Sequence, residues 1–291
     1  METVTLRSGA QMPLVGFGTY LVKSHAIINQ ALDAGYRMFD TSSFYNNEWI
    51  IGDCTSRSRF RTKVFIVSKA WNDVVYDGTA SMYYQIAKSL QDLRVEYIDL
   101  YMIHWPVPGK FTQVYKLLED MHDKGKIKDI GISNFTIEDY EELLASGIRI
   151  LPSVVQLEVN PSLFRRKTIE YFTAKGLHVM SYRGFSKSQG LEDNDIQAMS
   201  VKYGVLPSQI LGRFLVQQKI SHIPKSNDID RMRQNMDVFS FELTASDMNH
   251  LKNKTTDQAT AKFKEQYLAS RIKDTHLEFD EHLKPGSFTV D

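Results

Sequence analysis

The chain has 291 residues, and its 42% hydrophobic content is enough to bury a large core, so two domains or one barrel of about 250 residues are both open on length alone. Lys plus Arg and Asp plus Glu balance at 35 each, which leaves no global field to gather nucleic acid or an anionic membrane and fits a small neutral partner. The one cysteine, Cys54, excludes an internal disulfide and a cysteine-based metal cluster and suits a reducing compartment.

The opening "METVTLRSGAQMPL" has no apolar core of the kind an export signal carries, and no later run reaches the length of a membrane span, so a cytoplasmic protein is expected. The same segment alternates about "SGA", which predicts a short hairpin closing the bottom of whatever follows. Runs rich in β-branched and aromatic residues then recur: "LVGFGT", "YRMFD", "VFIVSK", "YIDLYMIH", "IKDIGIS", "SVVQLEV", "LHVMSY" and "SHIPKS". Between them lie segments of helical spacing, among them Ile27, Ile28, Ala31 and Leu32 before Gly35, then Ile86, Leu90 and Leu93, then Val114, Leu117, Leu118 and Met121 before Gly125. Thr136 with Asp139 reads as a capping box, and Gly147 supplies a left-handed exit.

Strands apolar on both faces that alternate with helices pair in parallel, because each helix carries the chain back and covers the sheet. Eight such units predict a closed (β/α)₈ TIM barrel, with residues 1–291 as a single domain. A doubly wound open sheet is the alternative, but no G-x-G-x-x-G follows an early strand. From about Thr255 the chain is polar with scattered Leu, Phe and Tyr, which predicts a late helix and then a long C-terminal loop across one barrel end.

In such a barrel the C-terminal ends of the strands meet at one mouth. Asp40 ends the second predicted barrel strand with Tyr45 just beyond, Lys69 ends the third and His104 ends the fourth. Taken singly each has an ordinary reading: a turn Asp, a surface or core Tyr, a solvated Lys, a satisfied buried His. Placed together they form a set with one chemistry. A tyrosine phenol titrates near 10 and is a poor acid at neutral pH, and a neighbouring ammonium is expected to lower that value. Asp40 can hold Lys69 in place, and His104 can orient a carbonyl oxygen. This suits protonation of a carbonyl oxygen while a hydride arrives from elsewhere, and since no side chain donates hydride a nicotinamide cofactor is implied.

The stretches "GFGTY", "GYRMFDTSSFYNNE", "VSKAW", "YIDLYMIHWP", "GKIKDIGISNF", "VVQLEVNP" and "IPKSNDIDRMRQN" together resemble the aldo-keto reductases, in order, from about residue 5 to 245. The resemblance implies a catalytic tetrad of Asp40, Tyr45, Lys69 and His104 and an extended NADPH. It implies that Ser133, Asn134 and Gln156 hold the nicotinamide carboxamide, that Tyr182 stacks on the ring, that Thr19 and Tyr20 lie at the nicotinamide ribose end, and that Asp40 also contacts the cofactor. It further implies that Lys225, Ser226 and Arg231 hold the 2′-phosphate while Gln234 and Asn235 meet the adenine. The simpler reading of Arg231 is a surface pair with Asp228.

Substrate contacts are expected from Tyr20, Phe44, Trp71, His104 and Trp105, although the tryptophans read equally as barrel packing. The quick run from "HWPVPGK" into a helix predicts a low wall there. The chain departs from the family pattern at Asn46, where Gly is common, at Val155 and Asn160, where Asn and His are common, in "SYRGFSKS", which lacks the usual Pro-Leu, and at Gly212, where Leu is frequent. Gly212 is expected to weaken its helix by roughly 1 kcal/mol relative to Ala. The leading expectation is a monomeric NADPH-dependent reductase of aldehydes or ketones. Two alternatives are an NADPH-binding scaffold or regulatory subunit with little turnover, and a metal-dependent barrel hydrolase, against which the histidines show no paired ligand motif. No metal is expected.

Overall fold

A computed structural model describes residues 2–56, 61–278 and 288–290. An antiparallel ribbon of β1 (Thr3–Thr5) and β2 (Gln11–Pro13) comes first. Eight parallel strands follow: β3 (Phe17–Gly18), β4 (Met38–Asp40), β5 (Phe65–Ala70), β6 (Ile98–Ile103), β7 (Ile127–Ser133), β8 (Val154–Glu158), β9 (His178–Tyr182) and β10 (Ser221–His222). They pair in chain order from β3 to β10. The ring then closes, since Val15 and His222 form a parallel bridge, with Gly16 N donating to His222 O at 2.9 Å and His222 N to Leu14 O at 2.8 Å. The eight predicted runs are the eight barrel strands, and closure replaces the open-sheet alternative with the (β/α)₈ barrel.

Helices stand where the spacing predicts them, at His25–Asp33, Thr79–Leu93 and Phe111–Asp123. Thr136 and Asp139 form the complete capping box of the helix Ile137–Ala145, and Gly147 follows it at φ 77°.

The period of two along each strand sorts side chains into an outer layer under the helices and an inner layer in the barrel. Met38, Val67, Met102, Val154 and Met180 fill the inner layer, while Phe39, Ile66, Tyr101, Val155 and Val179 face the helices. Leu6 and Met12 of the ribbon pack into the inner cluster and close the barrel bottom as expected. One pleat above the apolar inner layer, the same strand faces carry Asp40, Lys69, His104, Gln156 and Tyr182. The position of the site therefore follows from strand periodicity.

The late helix runs from Asp257 to Arg271 and is capped by Thr256. It is tied across the mouth: Arg271 pairs with Asp139 at 3.1 Å and donates to Pro106 O at 3.2 Å, and Asn72 donates to Ser270 O at 2.7 Å and Lys273 O at 3.0 Å. Most of the loop expected beyond it, residues 279–287, and residue 291 lie outside the described residues. Among the described residues no helix is long and apolar enough to cross a membrane.

Gly212 has a different meaning from the one its helix propensity suggests. It lies inside the helix Pro207–Val216, and a Cβ there would come 2.7 Å from Val238 Cγ1, so the glycine permits a close approach that alanine would obstruct.

Glu48 opens the helix Glu48–Thr55 and is buried, accepting from Ser68 Oγ at 2.6 Å and Ser89 Oγ at 3.0 Å. Burial outweighs both bonds and pushes its carboxyl up to about 7. A folded-state value above the unfolded one stabilises the fold fully below the unfolded value near 4.3, and that contribution is lost as pH rises through about 7. Glu48→Gln should flatten this fall and raise the melting temperature relative to wild type at alkaline pH, an effect of at most about 4 kcal/mol on a shift of this size. Thermal unfolding of both proteins across the pH range checks it, and a wild type that gains stability from weakly acidic to alkaline pH relative to the variant would reverse the sign.

Candidate active site

The segment after β4 builds one side of the site. Ser42 caps a single 3₁₀ turn, Ser43–Tyr45, which lifts Phe44 and Tyr45 over the mouth. Asn46 ends the turn in the left-handed region at φ 53°, a conformation glycine takes freely and Asn better than most, which accounts for Asn at a position where glycine is common.

Below Tyr45 lies a dry ion pair. Lys69 Nζ, with no exposed side-chain surface, donates to Asp40 Oδ1 at 2.7 Å and to Thr41 O at 2.9 Å. The other oxygen of Asp40 accepts from Gln156 Nε2 at 2.7 Å, and that amide also reaches Met180 Sδ at 2.9 Å. The Lys69 ammonium lies 5.5 Å from the centroid of the Tyr45 ring. Burial lowers the Lys69 pKa, with Asp40 acting in the opposite direction.

The expected lowering of the Tyr45 pKa is not found. Burial, then the Asp40 carboxylate, push the phenol well above its ordinary value. The reason is that Asp40 offsets the charge of Lys69 at contact distance, so the ring experiences a nearly neutral pair in a dry setting. Tyr45 therefore keeps its proton, and its hydroxyl has no hydrogen-bond partner among the described residues.

His104 stands beside it, with ring centroids 5.9 Å apart. Its Nδ1 meets Ser42 Oγ at 3.0 Å, and burial with the Lys69 charge drives its pKa well below the usual imidazole value, so the ring is neutral. When Ser42 donates to Nδ1, the ring proton sits on Nε2 and is free to donate to a ligand.

A cavity of about 530 Å³ joins these groups to the far side of the mouth, lined among others by Thr19, Asp40, Tyr45, His104, Asn134, Gln156, Tyr182 and Lys225. Tyr182 donates from its hydroxyl to Asn134 Oδ1 at 2.7 Å, and Asn134 Nδ2 donates to His104 O and to Ser133 Oγ, each at 3.0 Å. Ser133 is fully buried behind Asn134 and does not line the cavity. Thr19 is held by donating to Asp40 O at 2.9 Å.

At the outer end, Lys225 reaches the cavity while Ser226, Arg231, Gln234 and Asn235 follow on the next turn and the helix Ile229–Met236. Ser226 Oγ accepts from Asp228 N at 3.0 Å, and the Asp228 carboxylate caps the helix by accepting the backbone N–H of Arg231 at 2.9 Å. Neither Lys225 nor Arg231 forms an ion pair among the described residues, so the expected alternative of an Arg231–Asp228 side-chain pair is not formed.

The match to a family model, described as the aldo/keto reductase family, spans residues 19–255. The chain belongs to the aldo/keto reductase family. It is 33% identical over 263 residues to a glyoxal reductase of Bacillus subtilis, covering 88% of this chain and 94% of that protein. It is likewise 33% identical over 299 residues to an NAD(P)H-dependent D-xylose reductase of Candida tropicalis, covering 86% of this chain and 91% of the relative. A solved structure of a Gox0644 variant in complex with NADPH superposes with a TM-score of 0.84 at 29% identity, over 88% of this chain and 94% of that one.

In this aldo/keto reductase an aromatic wall flanks Tyr45. Phe44 stacks on Trp71 with centroids 4.0 Å apart, and Trp71 meets His104 edge-on at 4.9 Å. Tyr20 packs on Tyr45 at 5.1 Å and remains about half exposed. Trp71 both packs and lines the cavity, and its Nε1 donates to Asp274 Oδ2 at 2.8 Å. Trp105 leans on Tyr267 of the late helix, with centroids 5.9 Å apart. The loop after His104 is short as expected, but the wall is supplied by the late helix, whose end brings Ser270 and Lys273 to the cavity.

Sequence reasoning missed Ser42, Arg183, Ser270, Lys273 and Asp274. Ser42 lies inside "FDTSSFY", where the doubled serine was the available signal, and Arg183 directly follows Tyr182; Ser270, Lys273 and Asp274 depend on a long-range docking that local pattern does not encode.

Removing one member of a buried ion pair leaves an uncompensated group, at a typical cost of about 3 to 5 kcal/mol. Asp40→Ala should therefore destabilise strongly in urea unfolding, and adding Lys69→Met to it should recover part of the loss. A double variant less stable than Asp40→Ala by the full effect of Lys69→Met alone would show that the two side chains do not couple.

Proposed function

We propose that this chain is an NADPH-dependent reductase of aldehydes or ketones in which Tyr45 is the general acid. The observation that carries the reading is the unpartnered, protonated Tyr45 hydroxyl set in one cavity with neutral His104, above the buried Lys69–Asp40 pair. NADPH supplies the hydride when bound. The residues that fit it are Gln156 and Asn134 for the carboxamide, with Ser133 supporting Asn134, Tyr182 against the ring, and Thr19 and Tyr20 at the ribose. Gln156 turns its nitrogen toward Asp40, which leaves its carbonyl oxygen to accept from an amide.

His104 Nε2 donates to the carbonyl oxygen and fixes it near the Tyr45 hydroxyl. As charge develops there, Tyr45 transfers its proton to an oxygen far more basic than phenolate, and Lys69 then lies close enough to stabilise the phenolate left behind. Phe44, Trp71 and Trp105 exclude water and offer apolar surface to the substrate. Lys225 and Arg231, free of carboxylate partners, supply charge-assisted donors for a 2′-phosphate, with Ser226 beside them and Gln234 and Asn235 toward the adenine.

Loss of reduced-nicotinamide absorbance on mixing protein, NADPH and a panel of aldehydes and ketones tests the activity; tight NADPH binding with no turnover would favour the scaffold alternative. Tyr45→Phe should abolish reduction while leaving NADPH affinity nearly unchanged, and Lys69→Met should also nearly abolish turnover. Near-normal turnover of Tyr45→Phe would assign the acid elsewhere.

A hydrogen bond to a charged group contributes about 1.5 to 3 kcal/mol, so Arg231→Ala should weaken NADPH binding roughly ten- to a hundredfold and leave NADH nearly unaffected. Titration of both proteins with both cofactors reads this directly, and an equal effect on the two cofactors would remove Arg231 from the site.

A further inference from the structure

The cavity over Tyr45 carries charges that do not balance. With its two histidines held neutral by burial, the charged residues that line it are Asp40, Arg183, Lys225 and Lys273. Asp40 is neutralised by Lys69 at 2.7 Å, and Arg183 is paired with Glu158 at 2.8 Å. Lys225 and Lys273 form no ion pair and no side-chain hydrogen bond among the described residues, and the lining offers no second carboxylate. The even charge of the whole chain, which suits a neutral partner, conceals this local excess.

The two lysines stand at different places. Lys225 follows β10, beside the groups that fit the cofactor. Lys273 lies just past the end of the late helix, at the exposed rim of the aromatic wall, with Nζ 5.2 Å from the ring centroid of Phe44 and 5.9 Å from that of Trp71. Those rings are stacked 4.0 Å apart, so an ammonium almost equidistant from both lies beside the stack and not beyond it. Trp71 in turn meets His104 at 4.9 Å. A single indole thus separates the ammonium from the imidazole that orients the carbonyl. The segment bearing Lys273 is fixed, since Asn72 Nδ2 donates to Ser270 O at 2.7 Å and to Lys273 O at 3.0 Å. The adjacent Asp274 carboxylate accepts from Trp71 Nε1 at 2.8 Å and does not line the cavity. Ser270, three residues before Lys273, does line it, and its hydroxyl has no hydrogen-bond partner among the described residues.

We propose that Lys273, assisted by the Ser270 hydroxyl, binds a carboxylate on the substrate, so that the preferred substrates are aldehydes or ketones bearing one carboxylate the width of a phenyl ring from the carbonyl. The inference rests on the reductase reading above and names its substrate class. One unpaired cation matches one negative charge, whereas a phosphate monoester brings about two. The stacked rings accept the apolar body between the two ends, and the ammonium and hydroxyl supply charge-assisted donors at the far one. The carboxylate takes no part in the chemistry: hydride still goes to the carbonyl carbon and the proton of Tyr45 to its oxygen.

The test compares para-carboxybenzaldehyde with para-formylbenzamide, which has nearly the same shape without the charge, and reads the ratio of their kcat/KM values with NADPH. Wild type should favour the carboxylate, and the preference should shrink with added salt because exposed charges are screened. Lys273→Met should lower the ratio roughly fivefold, the upper end of what an exposed ion pair contributes. Lys273→Arg, which keeps the charge, should preserve the preference, and Lys273→Glu should invert it. A wild type that reduces both compounds equally well, or a ratio that Lys273→Met leaves in place, overturns the assignment and leaves the reductase reading intact. A wild type that reduces neither compound nor any other aldehyde or ketone overturns the reductase reading, and this inference with it.

Discussion

A lysine with no exposed side-chain surface keeps a charge only if the protein provides a counter-charge at contact, and here that is Asp40. The pair does more than neutralise itself. Each carboxylate oxygen has one strong donor, Lys69 on one side and Gln156 on the other, so three strands are locked together at the level of the mouth. The orientation of the Gln156 amide and the separation of Lys69 from the Tyr45 ring depend on that arrangement, and the Lys69 charge adds to the burial that lowers the pKa of His104.

The pair also decides what Tyr45 can do. An ammonium facing the phenol alone would draw it toward ionisation, whereas a neutral pair in a dry pocket leaves burial dominant and the proton in place. Ser42 links the two halves of this centre, since its hydroxyl meets His104 Nδ1 at 3.0 Å and also donates to Lys69 O at 3.3 Å.

Around this centre the structure invests in excluding water. The late helix is tied down by Arg271 to Asp139, and its continuation is fixed by Asn72 and by Trp71, whose indole binds Asp274. The aromatic wall therefore rests partly on residues some two hundred positions away in the chain. The opposite arm of the cavity is shaped by absence of side chains, at Gly184 and Gly212, and by the imidazole that fills the space they leave.

The strands, their parallel order, the bottom hairpin and the capping box were legible in the sequence because each is written in a local period or a short fixed spacing. The same period of two put Asp40, Lys69, His104, Gln156 and Tyr182 on inward faces one pleat above an apolar layer, which is why the candidate site could be named from strand ends. Tertiary structure alone decided what depends on contact across the chain: barrel closure at Val15 and His222, the partner of His104, the docking of Trp71 on Asp274, and the burial of Glu48 between two serines. It also decided the direction of the Tyr45 shift and the meaning of Gly212. The physical reason is common to all of these. Backbone periodicity is set by neighbours in sequence, whereas the strength of a charge and the cost of a Cβ are set by how completely distant segments exclude water and fill space around them.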